Sequence, residues 1–349
     1  MLTRSGEPVA TVRDYRGQTG RTGIRPPETM GSSASSQHRY RVLLATDGSL
    51  ASEWAHRWVA RVRWAEQPTV DVLTVADSTV LQPAWLPATL DHQLVELTGV
   101  LREEAEAEAA SIAETTATRL RREGLTVTAT STYGLPAVRL LEHIAESTPA
   151  LVALGHRGQS DVDAMLLGSV THEVARYSPS PALVARAPTD DGSQLPRRVL
   201  VVVDPLTRAQ PAVAWLRRHG WLAGAEVILM GMLGPSPGLL PGPQSLARTI
   251  SSQCRDHATS VIERAASELQ VVASEVTSVV RAGHPLDACA SVAASSRADL
   301  VVLCRPAHDP GRYPLAEKLT RYIDTSVLLV PADRSAPNRP GGGPNHPFG

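Results

Sequence analysis

The chain repeats itself, and this internal repeat constrains the fold more than any other feature of the sequence. The stretch YRVLLATDGS at 40–49 returns as RRVLVVVDPL at 197–206. The stretch GLPAVRLLEHIAESTPALVALG at 134–155 returns as GHPLDACASVAASSRADLVVLC at 283–304, with the same internal spacing. Two matches in the same order predict a duplicated domain.

The composition of the flanks and of the junction differs from that of the repeats. Residues 1–37 and 333–349 are rich in Gly, Arg and Pro and lack hydrophobic periodicity, so we expect both tails to be disordered. Residues 189–196 have the composition of a linker. The predicted domains are therefore a first repeat at 38–188 and a second repeat at 197–332.

Short apolar runs alternate with longer segments of helical periodicity in each repeat. The runs of the first repeat are 40–46, 70–76, 125–131, 151–154 and 182–186. Continuous apolar runs of this length are typical of strands that are buried on both faces. Because alternating strands and helices favour a parallel sheet, we expect an α/β fold with two tandem, doubly wound, open, parallel five-stranded sheet domains.

Two helical segments of the first repeat stand out by their periodicity. In 50–65, three apolar residues recur at every fourth position: Trp54, Trp58 and Val62. In 100–123, an apolar face lies opposite an acidic one. The glutamates expected to face water on this segment are Glu103, Glu104, Glu106 and Glu108. His56 and His92 are expected at the surface.

Composition sets several classes of protein aside. The 349 residues carry a formal net charge of −1, which gives no global reason to expect nucleic acid or an anionic membrane as a partner. No apolar run approaches the roughly 20 residues of a membrane span. The N-terminus also lacks the continuous apolar core of a signal peptide. Met30 is a candidate for the true first residue of the protein. Three scattered cysteines without a CxxC pair fit a reducing interior. A cytoplasmic location is therefore expected.

A glycine pattern follows one predicted strand directly. The spacing G-x2-G-x9-G-S falls on Gly155, Gly158, Gly168 and Ser169. Ligands of open α/β sheets bind at the carboxyl ends of the strands. The first two glycines can adopt positive φ and let N–H groups approach an anion, while the Gly-Ser pair opens a helix whose N-terminus favours negative charge. The pattern predicts two clamps on one polyphosphate.

With this motif, the first repeat resembles an ATP-binding universal stress protein domain, and tandem two-domain members are a familiar form of that family. The second repeat resembles the family more weakly. By this resemblance, Asp47 contacts the adenosine portion and Val75 holds the adenine. The residues that would hold the phosphates are Gly155, Gly158, Gly168, Ser169 and the amide of Val170. The resemblance implies ATP as the ligand, and Mg²⁺ can accompany the phosphates.

The residues around the motif leave alternatives open. Asp47 follows a predicted strand, so its carboxylate can accept hydrogen bonds from ribose hydroxyls or an adenine amine, or it can cap the next helix. Arg157 can pair with phosphate or remain solvated, and His156 and His172 lie on or near the same loop. A bulky residue in place of Gly155 or Gly168 is expected to abolish ATP binding and to leave the fold intact.

The second repeat departs from the motif. Asp204 is retained, but Cys304 stands where Gly155 stands, and Pro306 lacks an N–H group. Pro314 falls near the position of Ser169, so no Gly-Ser pair precedes the helix. We therefore expect the second repeat to bind ATP poorly or not at all.

Three functional classes remain after the motif search. The chain has no P-loop, no G-x-G-x-x-G after a strand, no G-x-S-x-G elbow and no HExxH, and Lys318 is its only lysine. The favoured class is a nucleotide-binding regulator of the stress response with an unidentified protein partner, because no general base stands beside the glycines. The alternatives are a slow ATPase or phosphotransferase assisted by a metal ion and by His156 or Asp47, and a scaffold that binds no nucleotide.

The predicted last strands of the two repeats, PALVAR and SVLLVP, can pair within the chain and form a pseudo-dimer. Further dimerisation into a homodimer is left open by the sequence.

Overall fold

The computed structural model describes residues 13–14, 40–81, 92–158, 167–187, 195–203, 209–232, 244–305 and 314–332. Most of both predicted tails and of the linker lie outside the described residues, as do Asp204 and Pro306.

The described residues of the first repeat alternate between strands and helices, after a two-residue strand near the N-terminus. The strands are β1 (Arg13–Asp14), β2 (Arg41–Ala45), β3 (Thr69–Asp77), β4 (Thr126–Gly134), β5 (Leu151–Gly155) and β6 (Ala182–Ala185). The helices are α1 (Leu50–Arg61), α2 (His92–Arg122), α3 (Pro136–Ser147) and α4 (Ser169–Tyr177). A short 3₁₀ turn, Ser78–Leu81, follows β3.

The second repeat has the same order of elements. Its strands are β7 (Arg198–Val203), β8 (Glu226–Met232), β9 (Glu275–Arg281), β10 (Leu300–Arg305) and β11 (Ser326–Pro331). Its helices are α5 (Gln210–His219), α6 (Gln244–Leu269), α7 (Pro285–Ser296) and α8 (Pro314–Tyr322). The alternation predicted from the apolar runs is therefore confirmed in both repeats.

All these strands form one sheet, in the order β1-β9-β8-β7-β10-β11-β6-β5-β2-β3-β4. Within each repeat, the five strands are parallel and follow the same spatial order. The repeats join where β6 pairs antiparallel with β11, with Val184 opposite Val327. The expected pairing of the last strands within the chain is confirmed. At the far edge of the second repeat, β1 pairs antiparallel with β9.

The two repeats share one apolar core on the face covered by α1, α2, α5 and α6. Trp58 stacks on Trp221 with ring centroids 5.9 Å apart, and Trp215 meets Trp221 edge-on at 4.9 Å. The indole Nε1 of Trp58 donates to Ser326 Oγ at 3.0 Å. Because buried aromatic side chains from both repeats pack together here, the two repeats form one packed unit.

The opposite face is covered by α3 and α4 in the first repeat and by α7 and α8 in the second. The carboxyl ends of β2, β3 and β5 therefore meet at one edge of the sheet, flanked by helices on both sides. None of the described helices is both long and apolar enough to cross a membrane.

Candidate functional site

A cleft of about 480 Å³ opens at the carboxyl ends of β2, β3 and β5. Residues of all four helices of the first repeat also line it. All seven residues singled out from the sequence line this one cleft: Asp47, Val75, Gly155, Gly158, Gly168, Ser169 and Val170. The volume falls in the range of roughly 300–1,000 Å³ that is usual for small-molecule sites.

Helix α4 begins at the motif serine, as the sequence predicted. Gly168 is the N-cap, with φ −58° and ψ 144°, and Ser169 is the first helical residue. The first N–H groups of a helix have no partner within the helix, and its N-terminus carries about half a positive charge. Ser169, Val170 and Thr171 line the cleft, so this end of α4 offers donors to an anion there.

Hydrogen bonds hold the start of α4 against the end of β5. The Gly168 N–H donates to the His156 carbonyl at 3.0 Å, and the buried Thr171 hydroxyl donates to the Gly155 carbonyl at 2.7 Å. The two ends of the glycine motif are thereby brought together. Sequence reasoning missed Thr171, because a threonine inside a helix carries no signal of this contact.

The first two glycines are required for space rather than for a left-handed backbone. Neither Gly155 nor Gly158 has a positive φ, so that expectation was wrong. A Cβ at Gly155 would lie 2.5 Å from the carbonyl carbon and oxygen of Ala51 in α1. A Cβ at Gly158 would lie 2.9 Å from Asp47 Oδ2. Gly155 therefore lets α1 pack on β5, and Gly158 lets the loop approach the carboxylate.

The Asp47 side chain both holds the turn before α1 and lines the cleft. Its Oδ1 accepts a hydrogen bond from the Ser49 N–H at 3.0 Å, which shapes the turn before α1. Ser49 in turn is the N-cap of α1, and its hydroxyl oxygen accepts from the Ser52 N–H at 3.2 Å. The carboxylate of Asp47 also lines the cleft, so a turn held by hydrogen bonds presents it there.

Thr74 places a buried hydroxyl on the wall of the cleft. The residue is 3% exposed, and its Oγ1 has no hydrogen-bond partner within the described part of the chain. A buried polar group without a partner costs about 1–3 kcal/mol, so a group within the cleft is its natural partner. The sequence did not indicate Thr74, because a threonine within a predicted strand looks like any other β-branched strand residue.

Carboxylates line part of the cleft and a guanidinium lines another part. Glu104 and Glu108 are exposed on α2, as expected, but they also face the cleft, together with Asp77 at the end of β3. Arg157 lines the cleft beside Gly158. The expectation that Glu104 and Glu108 face water is therefore confirmed, and the same face of α2 also borders the cleft.

The histidines lie elsewhere. His156 is not among the described residues that line the cleft, and His172 lines a separate cavity, with Nε2 3.9 Å from Glu317 Oε1. His56 is buried between α1 and α2, contrary to the expectation of a surface position. Burial, followed by the nearby positive charge of Arg119, lowers the pKa of His56 to about 4. The side chain of His92 lies outside the described residues.

At the equivalent strand ends of the second repeat, the described residues include larger apolar side chains. Cys304 pairs with the last strand where Gly155 does in the first repeat, and α8 begins at Pro314, as expected. Met232 occupies the register position of Val75 and is buried in the core. The Cδ1 atom of Ile262 lies only 2.5 Å from where a Cβ of Gly231 would be, so α6 packs tightly on the end of β8.

The chain is similar to known proteins over both repeats. The model of the universal stress protein family matches residues 39–186 and 196–331. The universal stress protein YxiE of Bacillus subtilis is 28% identical over 149 residues, which is 42% of this chain and 98% of the relative. The matched length corresponds to one repeat.

A solved structure with the same fold covers most of this chain. A universal stress protein from Archaeoglobus fulgidus superposes with a TM-score of 0.57 at 18% identity, covering 85% of this chain and 97% of that one. A universal stress protein solved in complex with cAMP is 24% identical, with a TM-score of 0.31, and covers 42% of this chain and 95% of that one.

Proposed function

The chain belongs to the universal stress protein family, and we propose that it binds one adenine nucleotide, ATP, in the cleft of its first repeat and acts as a nucleotide-dependent regulator of the stress response. The observation that carries the proposal is the single cleft at which a helix N-terminus, a strand-end carboxylate and the glycine motif meet. A cleft at the carboxyl ends of parallel strands is where an open α/β sheet binds its ligand.

The residues present fit ATP. The N–H groups at the start of α4, the Ser169 hydroxyl and Arg157 would hold the phosphates, because they offer positive potential and donors. Asp47 would accept from ribose hydroxyls, and Val75 would flank the adenine. The unsatisfied hydroxyl of Thr74 supports a polar ligand in the same cleft. Bound ATP supplies a polyanion that complements this end of the cleft.

Mg²⁺ would enter with the phosphates rather than through a protein cage. Within the described part of the chain, no group of three or more His, Cys, Asp and Glu side chains is placed to hold a metal ion. Mg²⁺ usually keeps several waters and binds through substrate phosphates. Among the described carboxylates, that of Asp47 approaches the motif, since its Oδ2 lies 2.9 Å from where a Cβ of Gly158 would be.

A regulatory role suits this site better than rapid turnover. Phosphoryl transfer needs a group that orients the nucleophile and charge that stabilises the transition state. No histidine is among the described residues of the cleft, and the carboxylates present are also suited to binding ribose. Occupancy would bias the position of α4 and of the loop after β5, which a protein partner could sense.

Calorimetric titration of the full chain with ATP and Mg²⁺ tests the proposal. We expect one site per chain, and we expect Asp47→Ala to weaken binding at least tenfold, because it removes a carboxylate acceptor for the ribose. Asp204→Ala changes the equivalent residue of the second repeat and is the matched control, with unchanged affinity expected. Two equal sites, or none in a chain that folds normally by circular dichroism, would overturn the proposal.

Two further measurements define the ligand. Titration with cAMP asks whether the cleft requires a polyphosphate, and tighter binding of cAMP than of ATP would contradict the role given to α4. Release of inorganic phosphate from ATP, measured over hours, tests the slow ATPase that the sequence left open. Turnover abolished by Asp47→Asn with binding retained would assign catalysis to the same cleft.

A further inference from the structure

A second, much smaller cavity lies where the two repeats meet, on the face of the sheet covered by α4 and α8. Its volume is about 20 Å³, and residues of both repeats line it. His172 and Arg176 come from α4, Glu317 and Thr320 from α8, and Arg305 from the end of β10. A cavity needs roughly 10–15 Å³ to hold a water molecule, so there is room for one water or one monatomic ion.

Arg305 is the buried charge of this cavity. The residue is only 5% exposed. Its Nη1 donates to the Arg176 carbonyl at 3.4 Å, whereas Nε and Nη2 have no partner within the described part of the chain. Burial lowers the pKa of Arg305 to about 10, which leaves the guanidinium protonated at neutral pH. A buried charge without a compensating one is strongly unfavourable.

The surroundings of Arg305 add positive charge rather than remove it. Arg186, at the end of β6, is also buried, and its Nη2 donates to the Thr320 carbonyl at 2.7 Å. Arg176 and Arg321, at the ends of α4 and α8, each have a buried Nε without a partner within the described residues. Arg305 of the second repeat thus donates to the last turn of α4, and Arg186 of the first repeat donates to the last turn of α8.

Negative groups near these four guanidinium groups are fewer. Among the described residues, the carboxylates are Glu317, which lines the cavity, and Asp324, which acts on Arg186. The C-terminal ends of α4 and α8 each add about half a negative charge. Within the part of the chain that the structure describes, about one positive charge therefore remains without compensation around the cavity.

We propose that the cavity beside Arg305 binds one monatomic anion of the size of chloride, held by guanidinium groups of both repeats. A water molecule could accept the unused N–H bonds but would leave the charge uncompensated. The site does not depend on nucleotide binding, although α4 has one end at each of the two sites.

Crystals grown in sodium bromide give the direct test, because bromide scatters anomalously and replaces chloride. We expect an anomalous peak within hydrogen-bond distance of the Arg305 guanidinium. Density there without anomalous signal, in a crystal with bromide peaks elsewhere on the protein, would identify a water molecule and overturn the proposal. This test uses the unaltered chain and so does not depend on the folding of a variant.

Thermal unfolding tests the same site in solution. Chloride is titrated against gluconate, a larger anion, at constant ionic strength, and we expect the midpoint of the unaltered chain to rise by about 2–5 °C and then saturate. Arg305→Met should abolish the saturable rise. Arg264→Met, on an exposed position of α6, is the matched control and should keep it. The same chloride dependence in Arg305→Met as in the unaltered chain would overturn the proposal.

Discussion

The two repeats share their elements but differ at the ends of their strands. Helices α3 and α7 both have 12 residues, and α4 and α8 both have nine. At the carboxyl edge, however, Gly155 is replaced by Cys304 and Val75 by Met232. In the first repeat, the described residues of this edge enclose a cleft of about 480 Å³.

The difference separates what makes the fold from what makes the cleft. The fold depends on apolar strands and amphipathic helices, which are repeated in full. The cleft depends on a few positions where a small residue or a polar one leaves space and donors. Exchanging residues between equivalent positions therefore tests the comparison directly.

The largest loss of stability is expected when Gly155 is replaced by cysteine, the residue at the equivalent position of the second repeat. Gly155→Cys would place a Cβ 2.5 Å from the backbone of Ala51, so α1 must move away from β5. Overpacking of a core costs about 1–3 kcal/mol and more where backbone must shift. We expect a loss of at least about 3 kcal/mol in the free energy of unfolding, measured in urea, rather than the intact fold that the sequence suggested.

The matched control for this exchange is Cys304→Ala in the second repeat. Cys304 is buried, and its loss removes roughly one methylene equivalent, worth about 1 kcal/mol. If Gly155→Cys were as mild as Cys304→Ala, the close approach of α1 to β5 would not explain the glycine.

The next effect concerns the joint between the repeats. Ser326 Oγ accepts hydrogen bonds from Trp58 Nε1 and from the Arg186 N–H, both at 3.0 Å. Ser326→Ala leaves two buried donors without a partner, at about 1–3 kcal/mol each. We expect a loss of about 3 kcal/mol with a single unfolding transition, since both repeats share one core.

A serine within one repeat provides the comparison for that change. Ser274 Oγ donates to the Ala225 carbonyl at 2.8 Å, and Ser274→Ala should cost about 1 kcal/mol. Two separate unfolding transitions in Ser326→Ala, followed by calorimetry, would show that the repeats do not share a cooperative core.

Buried histidines on the first helix of each repeat give a smaller, pH-dependent effect. His56, on α1, has a pKa of about 4 in the folded chain, against about 6.5 when unfolded. Glu53 and Arg57 of α1, Arg119 of α2 and Glu123, which follows α2, face it. As the pH falls below 6.5, His56 binds a proton in the unfolded state but not in the folded state. The free energy of unfolding, which is at its full value above pH 6.5, therefore decreases.

We expect this loss to amount to about 2 kcal/mol between pH 6.5 and pH 5, and His56→Gln should remove it. His219, on α5, also has a lowered pKa because of burial, but its Nδ1 lies 2.7 Å from the Trp215 carbonyl, which opposes the shift. His219→Gln should therefore flatten the pH dependence less. Equal slopes in the two variants, measured by urea unfolding at each pH, would contradict the ranking.

Hydrophobic periodicity predicted the ends of most strands and helices to within a few residues. The run 182–186 became Ala182–Ala185, and the helix after the motif began at Ser169. Strand β4, by contrast, was predicted at 125–131 but continues to Gly134. It is the edge strand of the sheet and its end is polar, so the apolar pattern stops before the pairing with β3 does.

Features of the cleft that depend on how helices lie over the sheet could not be read from local patterns. Thr74 and Glu104 reach the cleft only because α2 crosses the end of β3, and His56 is buried only because α2 covers α1. By contrast, the glycine motif could be found, because residues that follow a buried strand lie at the binding edge of any open α/β sheet.

The smallest effect concerns the start of α4. Ser169 is exposed as the first residue of the helix, where the second repeat has Pro314. Ser169→Ala removes one hydroxyl and should weaken ATP binding by about 1–2 kcal/mol, or roughly tenfold, because one charge-assisted hydrogen bond is lost. Calorimetric titration measures this loss.

Ser169→Pro then carries the exchange further, since proline removes the N–H group as well as the hydroxyl. Proline is well tolerated at the first position of a helix, so the free energy of unfolding should stay within about 0.5 kcal/mol while ATP binding weakens beyond that of Ser169→Ala. If both variants bind ATP as tightly as the unaltered chain, the N-terminus of α4 does not hold the phosphates. The larger apolar side chains near the equivalent strand end, such as Met232 and Ile262, would then account for the difference between the repeats.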